Sequence, residues 1–314
     1  MLQQTTVGAV RGRYEAFLRR FPNVKSLARA SEERVLAEWS GLGYYARARN
    51  LRAAARMILA VHGGRIPGDP KALRELPGFG EYMAAAVASL AYGARIPAAD
   101  ANVTRVISRL FAIEGLSGTR AHAEEVRGRA AALLPRKRPG DATAALMDLG
   151  QQICTARAPD CPACPLARFC EARRRGLAER LPERRRKPKA RRVHFAAAVA
   201  VRGGRAFLVR ERGSLLSGLW SFPSADGGTA RAARERLART AARLGLRLAP
   251  GDAAGIARHT IVNRRLDIRV YRAETREARR SDGSARTRWV TSSVFRAAAI
   301  PTLARKIARA GGFG

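Results

Sequence analysis

Four cysteines confined to residues 154–170 constrain this chain more than any other feature. Cys154, Cys161, Cys164 and Cys170 are separated by six, two and five residues, and no other cysteine occurs in the 314-residue sequence. Thiols this close together, in a chain whose opening Met1-Leu2-Gln3-Gln4 does not start an export signal, point to a metal centre rather than to disulfides. Zinc ribbons divide their ligands into two distant Cys-x-x-Cys pairs. One compact loop of four instead suits a cubane iron–sulfur cluster with a cysteine on each iron. The loop therefore predicts a 4Fe-4S cluster, with zinc as the alternative. Its role would be structural or electron-exchanging, because four protein ligands leave no open position for substrate. Arg157 and Arg168 lie on the same loop and would be presented by it.

Charge points in a compatible direction. There are 60 Lys and Arg against 25 Asp and Glu, a formal charge of +35, which suits a polyanionic partner. Just 6 of those 60 are Lys, so the arginine bias also reads as a matter of composition. With 46% hydrophobic residues the chain can build cores, which excludes wholesale disorder. No apolar run is long enough for a membrane span. The expectation is a soluble cytoplasmic protein near the nucleoid, with no membrane contact, acting as a monomer.

The organisation is multidomain. Residues 1–170 read as short helices broken by Gly and Pro, an all-α region ending in the cysteine loop. Ser31 and Asp69-Pro70 are helix-start signals, and helices are predicted over 44–61, 81–92, 102–112, 122–134 and 141–153. Residues 171–192 are basic and poor in apolar side chains, and read as an exposed linker lying along phosphates or as a plain solvated tether. From 193 to 314 the pattern becomes α+β. A hairpin turns at Gly203-Gly204, a strand runs through Leu266–Tyr271, and helices cover 231–244 and 301–308. His62 and His122 are expected at surface positions or helix ends.

Leu76-Pro77-Gly78-Phe79-Gly80 precedes a helix, and its two glycines let backbone N–H groups approach an anion. A plain helix–turn–helix connection accounts for the same residues. Ahead of a Cys-x6-Cys-x2-Cys-x5-Cys loop, with Asp100 in Ala99-Asp100-Ala101-Asn102-Val103 between them, the set resembles the helix-hairpin-helix DNA glycosylase superfamily that includes endonuclease III. Leu2-Gln3-Gln4-Thr5, Gly41-Leu42-Gly43-Tyr44-Tyr45-Ala46-Arg47-Ala48-Arg49-Asn50-Leu51, Met147-Asp148-Leu149-Gly150 and the extra carboxy-terminal domain narrow it. Together they resemble the A/G-specific adenine glycosylases of the MutY type, over nearly the whole chain.

The resemblance implies a helix-hairpin-helix glycosylase domain carrying a 4Fe-4S cluster on Cys154, Cys161, Cys164 and Cys170, a basic linker, and a Nudix-like lesion-recognition domain over 193–314. The implied reaction is excision of adenine opposite 8-oxoguanine or guanine in double-stranded DNA, after base flipping. Breaking the N-glycosidic bond makes an oxocarbenium-like sugar, which wants an acid at the base and a carboxylate at the cation. Asp100 matches the carboxylate, with Ala101 in place of the usual Gly. It is also a natural cap for the helix that follows, and the two roles are compatible. Asn102 is its polar neighbour. Tyr82 stands where bifunctional relatives carry a Schiff-base Lys, which implies a monofunctional enzyme. Gly78 and Gly80 are implied backbone contacts to DNA. Gln3, Gln4 and Tyr44 match residues at the base stack, although Gln3 and Gln4 also read as helix-surface residues and Tyr44 as a core aromatic.

Two departures stand out. The family's general-acid Glu lies in Ser-Glu-x-Met-Leu-Gln-Gln-Thr, just upstream of the stretch matching Met1. The expectation is that the genomic sequence continues in frame through that Ser-Glu pair. In the second domain, Ile261-Val262-Asn263 follows His259-Thr260 where the family offers Phe-Ser-His, leaving Asn263 as the polar group. No Arg-Glu-x-x-Glu-Glu box follows Pro223, so pyrophosphatase activity is not expected. The competing readings are a non-catalytic damage-binding protein and an endonuclease III-like glycosylase/lyase.

Overall fold

The computed structural model describes residues 1–185, 190–212, 216–275 and 286–314. Ten helices come first among them: α1 (Val7–Arg20), α2 (Val24–Arg29), α3 (Glu32–Glu38), α4 (Ala46–Val61), α5 (Pro70–Glu75), α6 (Glu81–Tyr92), α7 (Ala101–Leu110), α8 (Arg120–Leu133), α9 (Pro139–Gln152) and α10 (Glu171–Arg174). Then follow β1 (Arg191–Arg202), β2 (Arg205–Arg210), β3 (Trp220–Ser221), β4 (Ser224–Gly227), α11 (Ala230–Arg243), β5 (Leu246–Leu248), β6 (Gly255–Ile261), β7 (Arg264–Thr275), β8 (Thr287–Thr291), α12 (Ser292–Ala297) and α13 (Thr302–Ala310). Among the described residues the first strand, β1, begins at Arg191, after the ten helices. None of the helices among the described residues is long and apolar enough to cross a membrane.

Packing groups the chain into two compact units that do not follow chain order. Residues 57–187 form one, and residues 1–56 with 188–314 form the other.

In the 57–187 unit, local signals set the helix ends. Asp69 accepts from the Ala72 N–H at 2.9 Å, with Pro70 in the first turn of α5. Helix α6 closes on Gly93, whose left-handed backbone (φ +66°) stops it. Val103, Ile107, Ile113, Val126 and Ala130 make the seam between α7 and α8. Gly150 of α9 faces Asn102 so closely that a Cβ there would meet the Asn102 Cβ at 2.8 Å, so glycine sets how near α9 comes to α7. The basic stretch after the cysteine loop is not a free tether through its first part. Ala172 and Leu181 are buried against Ala112, with Leu177 beside them. The continuation over 186–189 lies outside the described residues.

In the other unit, β1 and β7 run parallel at the centre of the sheet, in the order β3-β2-β1-β7-β5, with β4 on β1, β6 on β7 and β8 on β2. The predicted hairpin is present, pairing Val201 with Ala206 and Arg202 with Arg205 around Gly203-Gly204. One face packs Leu208, Phe222, Ile268 and Val270 under α12 and α13, and the other packs Ala196, Ala198 and Tyr271 under α11. The N-terminal helices dock on this domain through named contacts. Glu33 accepts from the Trp220 indole N–H (2.8 Å) and from Arg288 (2.9 Å), the Ser40 hydroxyl donates to the Ile300 carbonyl (2.7 Å), and Arg49 donates to the Ser217 carbonyl (2.8 Å).

Candidate active site and cysteine loop

Asp100 is the N-cap of α7, so one side of its carboxylate is engaged. Oδ1 accepts from the backbone N–H of Asn102 (2.8 Å) and Val103 (2.7 Å), while Oδ2 accepts from the Asn102 side-chain amide (3.1 Å). Two amides of a helix start thus hold Oδ1 at the positive end of the α7 dipole. Tyr82, 37% exposed in the first turn of α6, is close enough that burial, with the Asp100 charge second, pushes its phenol above the ordinary range. The hairpin between α5 and α6 carries Gly78 in left-handed backbone (φ +81°), and Gly80 is the α6 N-cap with open space where a Cβ would stand. Side chains would narrow the approach to these amides. Between α6, α7 and α8 lies a cavity of about 490 Å³ lined by Tyr82, Ala99, Thr104, His122 and Val126, among others.

His122 lies at a helix end, one of the two expected places, but not at the surface. It is 4% exposed in the first turn of α8, its Nε2 is 3.2 Å from the Ser108 hydroxyl, and among the described residues its Nδ1 has no partner. Its ring belongs to the stripe continued by Val126 and Ala130. His62 lies just past the end of α4, as expected.

The cysteine loop joins α7 through two arginines that the sequence reading passed over. Arg105 is 5% exposed and donates to the carbonyls of Cys154 (2.7 Å) and Gly150 (2.5 Å) and to Asn102 Oδ1 (2.9 Å). Arg109, 2% exposed, reaches Cys154 Sγ (3.3 Å), the Thr155 carbonyl (2.7 Å) and the Leu181 carbonyl (2.9 Å). Burial, then the neighbouring Arg109, lowers the Arg105 guanidinium below its usual value. A continuous polar path thus runs Asp100–Asn102–Arg105–Cys154.

All four cysteines line one cavity beside Arg109. Burial, then Cys170, Cys154 and Cys164, pushes the Cys161 thiol up, with the Arg109 guanidinium opposing. Among the described residues no three Cys, His, Asp or Glu side chains group closely enough for a single metal ion. Four soft donors spread round one shared space match a cluster whose irons each take one cysteine.

Gln3, Gln4 and Tyr44 belong to the other unit and come together there. Gln3 and Gln4 lie in a turn before α1 rather than on a helix, and Gln4 is exposed. Tyr44 is 51% exposed and not a core aromatic; the core position falls to Tyr45, 4% exposed. Asn263 stands exposed in the two-residue turn between β6 and β7, next to Val262, whose φ of +55° is a strained conformation for a β-branched residue.

The comparisons fit this geometry. Residues 1–132 match the HhH-GPD superfamily of base excision DNA repair proteins, and residues 196–310 match the NUDIX domain. A mouse adenine DNA glycosylase is 31% identical over 363 aligned positions that take in 98% of this chain and 69% of the relative. This chain belongs to the adenine DNA glycosylase family. Human adenine DNA glycosylase is 40% identical over 182 residues, 58% of this chain and 33% of that protein. The Arabidopsis thaliana member is 34% identical over 258 residues, 71% of this chain and 41% of its own length. The chain therefore spans well under two thirds of these two longer adenine glycosylases. Among solved structures, a thermostable thymine-DNA glycosylase superposes with a TM-score of 0.51 at 30% identity, over 55% of this chain and 80% of that one. Adenine glycosylases of this superfamily usually carry a 4Fe-4S cluster.

Proposed function

We propose that this chain is a monofunctional adenine DNA glycosylase that hydrolyses the N-glycosidic bond of adenine opposite 8-oxoguanine or guanine in duplex DNA. The observation that carries the reading is the Asp100 carboxylate, held by two α7 amides and the Asn102 side chain beside Tyr82. A carboxylate fixed in this way meets a developing sugar cation without having to reorganise. The bond electrons leave with the protonated base, and water adds to the sugar carbon. Asp100 stabilises the intermediate cation and steers the water. Protonation of the base helps adenine leave. Tyr82 has no amine to form an imine with the sugar, so strand cleavage is not part of the reaction. Gly78 and Gly80 offer backbone N–H groups to a phosphate, and Gln4 and Tyr44 enter the stack.

Cys154, Cys161, Cys164 and Cys170 would hold a 4Fe-4S cluster, which when bound supplies rigidity and one-electron chemistry. Arg105 and Arg109 tie that loop to α7. The domain over 193–314 contributes lesion contacts, with Asn263 at the tip of its β6–β7 turn. Its helix α11 contains one carboxylate, Glu235, which fits binding better than metal-dependent hydrolysis. The polyanion expected from the charge is DNA, in the compartment that contains it.

Single-turnover excision on an adenine:8-oxoguanine duplex tests the reading, comparing this chain with Asp100→Asn. The parent should excise adenine, and Asp100→Asn should abolish excision. Alkali-independent strand cleavage would support a glycosylase/lyase. Tight mispair binding without excision would support a damage-binding protein.

A further inference from the structure

We propose that Arg47 is a positioning residue that holds Gln4 and Tyr44 together as a preformed double wedge, so that opening of the base stack depends on one guanidinium. This rests on the duplex-glycosylase reading above.

Arg47 lies in the first turn of α4, three residues after Tyr44. Its Nη1 donates to the Met1 carbonyl (2.7 Å) and to the Gln3 carbonyl, and its Nη2 donates to Thr5 Oγ1 (2.8 Å), the Leu42 carbonyl (3.0 Å) and the Gly43 carbonyl (3.2 Å). Two of these acceptors decide the matter. The Gln3 carbonyl belongs to the peptide unit preceding Gln4, and the Gly43 carbonyl to the unit preceding Tyr44. Gln4 and Tyr44 both have left-handed backbone, φ +52° and +46°, a conformation that ordinary side chains disfavour. The guanidinium holds the peptide plane before each residue, while Thr5 N–H to the Leu2 carbonyl (3.4 Å) and Arg47 N–H to the Tyr44 carbonyl (2.9 Å) hold the plane after it, so φ of both strained residues is constrained from each side with one planar fork common to both. A lysine ammonium lacks that geometry.

The surroundings leave the guanidinium little freedom to do otherwise. Its carbon lies 5.4 Å from the Trp39 ring and 5.6 Å from the Tyr44 ring, and the Trp39 indole N–H donates to the same Gly43 carbonyl at 3.1 Å. Among the described residues, Arg47 Nε is buried without a partner. Burial lowers the guanidinium's pKa, with the Tyr44 ring opposing. Thr5 Oγ1 also reaches the Leu42 carbonyl at 3.4 Å, joining the two loops directly. The donors of Arg47 point into the protein, while Tyr44 and Gln4 point out. Ordering both wedges before DNA arrives lowers the entropy lost on insertion.

The test compares Arg47→Met, Arg47→Lys and Tyr44→Ala with the parent in two measurements. The first is hydrogen exchange of the DNA-free protein. Arg47→Met should speed exchange in peptides covering 1–6 and 42–46 by at least about tenfold while leaving 57–187 unchanged, with Arg47→Lys between it and the parent. The second is fluorescence of 2-aminopurine placed next to an adenine:8-oxoguanine pair, which rises when the stack opens. Arg47→Met should slow that rise by about tenfold or more, as Tyr44→Ala does, and Arg47→Lys should recover part of it. Affinity for an undamaged duplex serves as the reference. Unchanged exchange in both loops would overturn the proposal, as would altered exchange with unaltered stack opening. A parent that opens no stack at all, with exchange still responsive, would instead sink the duplex-glycosylase reading and leave Arg47 as a loop clamp alone.

Discussion

Replacing Arg105 by leucine removes the middle of the path between the candidate carboxylate and the cysteine loop. The side chain is 5% exposed and donates to the carbonyls of Cys154, Gly150 and Ala101 and to the Asn102 amide oxygen; the Ala101 carbonyl, inside α7, keeps its helical N–H donor, so three acceptors depend on Arg105. Leucine can answer none of them. Each buried acceptor left without a donor costs about 1–3 kcal/mol. Three at the low end give about 3 kcal/mol, and the desolvation relieved by deleting a buried cation offsets part of any larger sum, so the net loss should be about 3–4 kcal/mol. Arg105→Lys keeps the charge but not the fork, and should lose about half as much.

Urea unfolding, followed by the visible absorbance that the proposed cluster would give, reports on the 57–187 unit. At a slope of about 2–3 kcal/mol/M, the midpoint should fall by roughly 1–2 M in Arg105→Leu. Excision should slow even without denaturant, because Asn102 loses the donor that orients its amide toward Asp100. A double-mutant cycle with Asn102→Ala isolates that link, with an expected coupling of about 0.5–2 kcal/mol. A midpoint shift under about 0.3 M, or a coupling within about 0.3 kcal/mol of zero, would refute the reasoning.

Burial raises the Glu211 carboxyl despite a hydrogen bond with Ser221. A carboxyl that holds its proton more tightly folded than unfolded costs stability as pH rises from the unfolded value, about 4.3–4.5, through the folded one. Glu211→Gln should therefore raise the melting midpoint of the 188–314 region at neutral pH and flatten its decline between acid and neutral pH; an unchanged slope would count against this. Glu33→Ala should cost about 1–2 kcal/mol, since Trp220 and Arg288 lose their shared acceptor while the 41% exposure of Glu33 limits the loss. Thermal unfolding and tryptophan emission read the change, and Glu33→Gln should recover the part due to Trp220. Cys164→Ser should remove iron and visible absorbance together and lower the melting temperature of the 57–187 unit. Full iron retention would show that Cys164 is not a ligand.

Much of the architecture was legible because its signals are local. Asp69-Pro70 and Ser31 start helices where capping chemistry says they should, helix α6 has the predicted limits 81–92, and the Gly203-Gly204 hairpin pairs as read. Errors arose where small or charged residues conceal a buried face. His122, expected at the surface or at a helix end, is in the first turn of α8 yet buried; its spacing to Val126 and Ala130 is that of one helical stripe, and alanine marks a stripe weakly. The basic stretch after residue 170 looked like a tether, yet Leu177 and Leu181 lie one helical turn apart in sequence and pack against Ala112. Arg105 and Arg109 had no local signal. Their burial depends on the cysteine loop, which lies more than forty residues along the chain.

Those arginines also alter the meaning of the net charge of +35. Irregular segments leave carbonyls that no ladder satisfies, and each must find a donor when buried. Arginine brings five N–H groups in one rigid fork, so a few of them can close several such accounts at once. Arg105 and Arg109 do so for the cysteine loop, and Arg47 for residues 1–5 and 42–43. Their charge counts in the composition, but their donors face inward and release no counterions from a phosphate backbone. The salt dependence of duplex binding should therefore follow the exposed arginines alone. Replacing Arg47 or Arg105 should leave its slope unchanged while altering the affinity for the mispair, whereas replacing an exposed phosphate-contacting arginine should reduce the slope by about one.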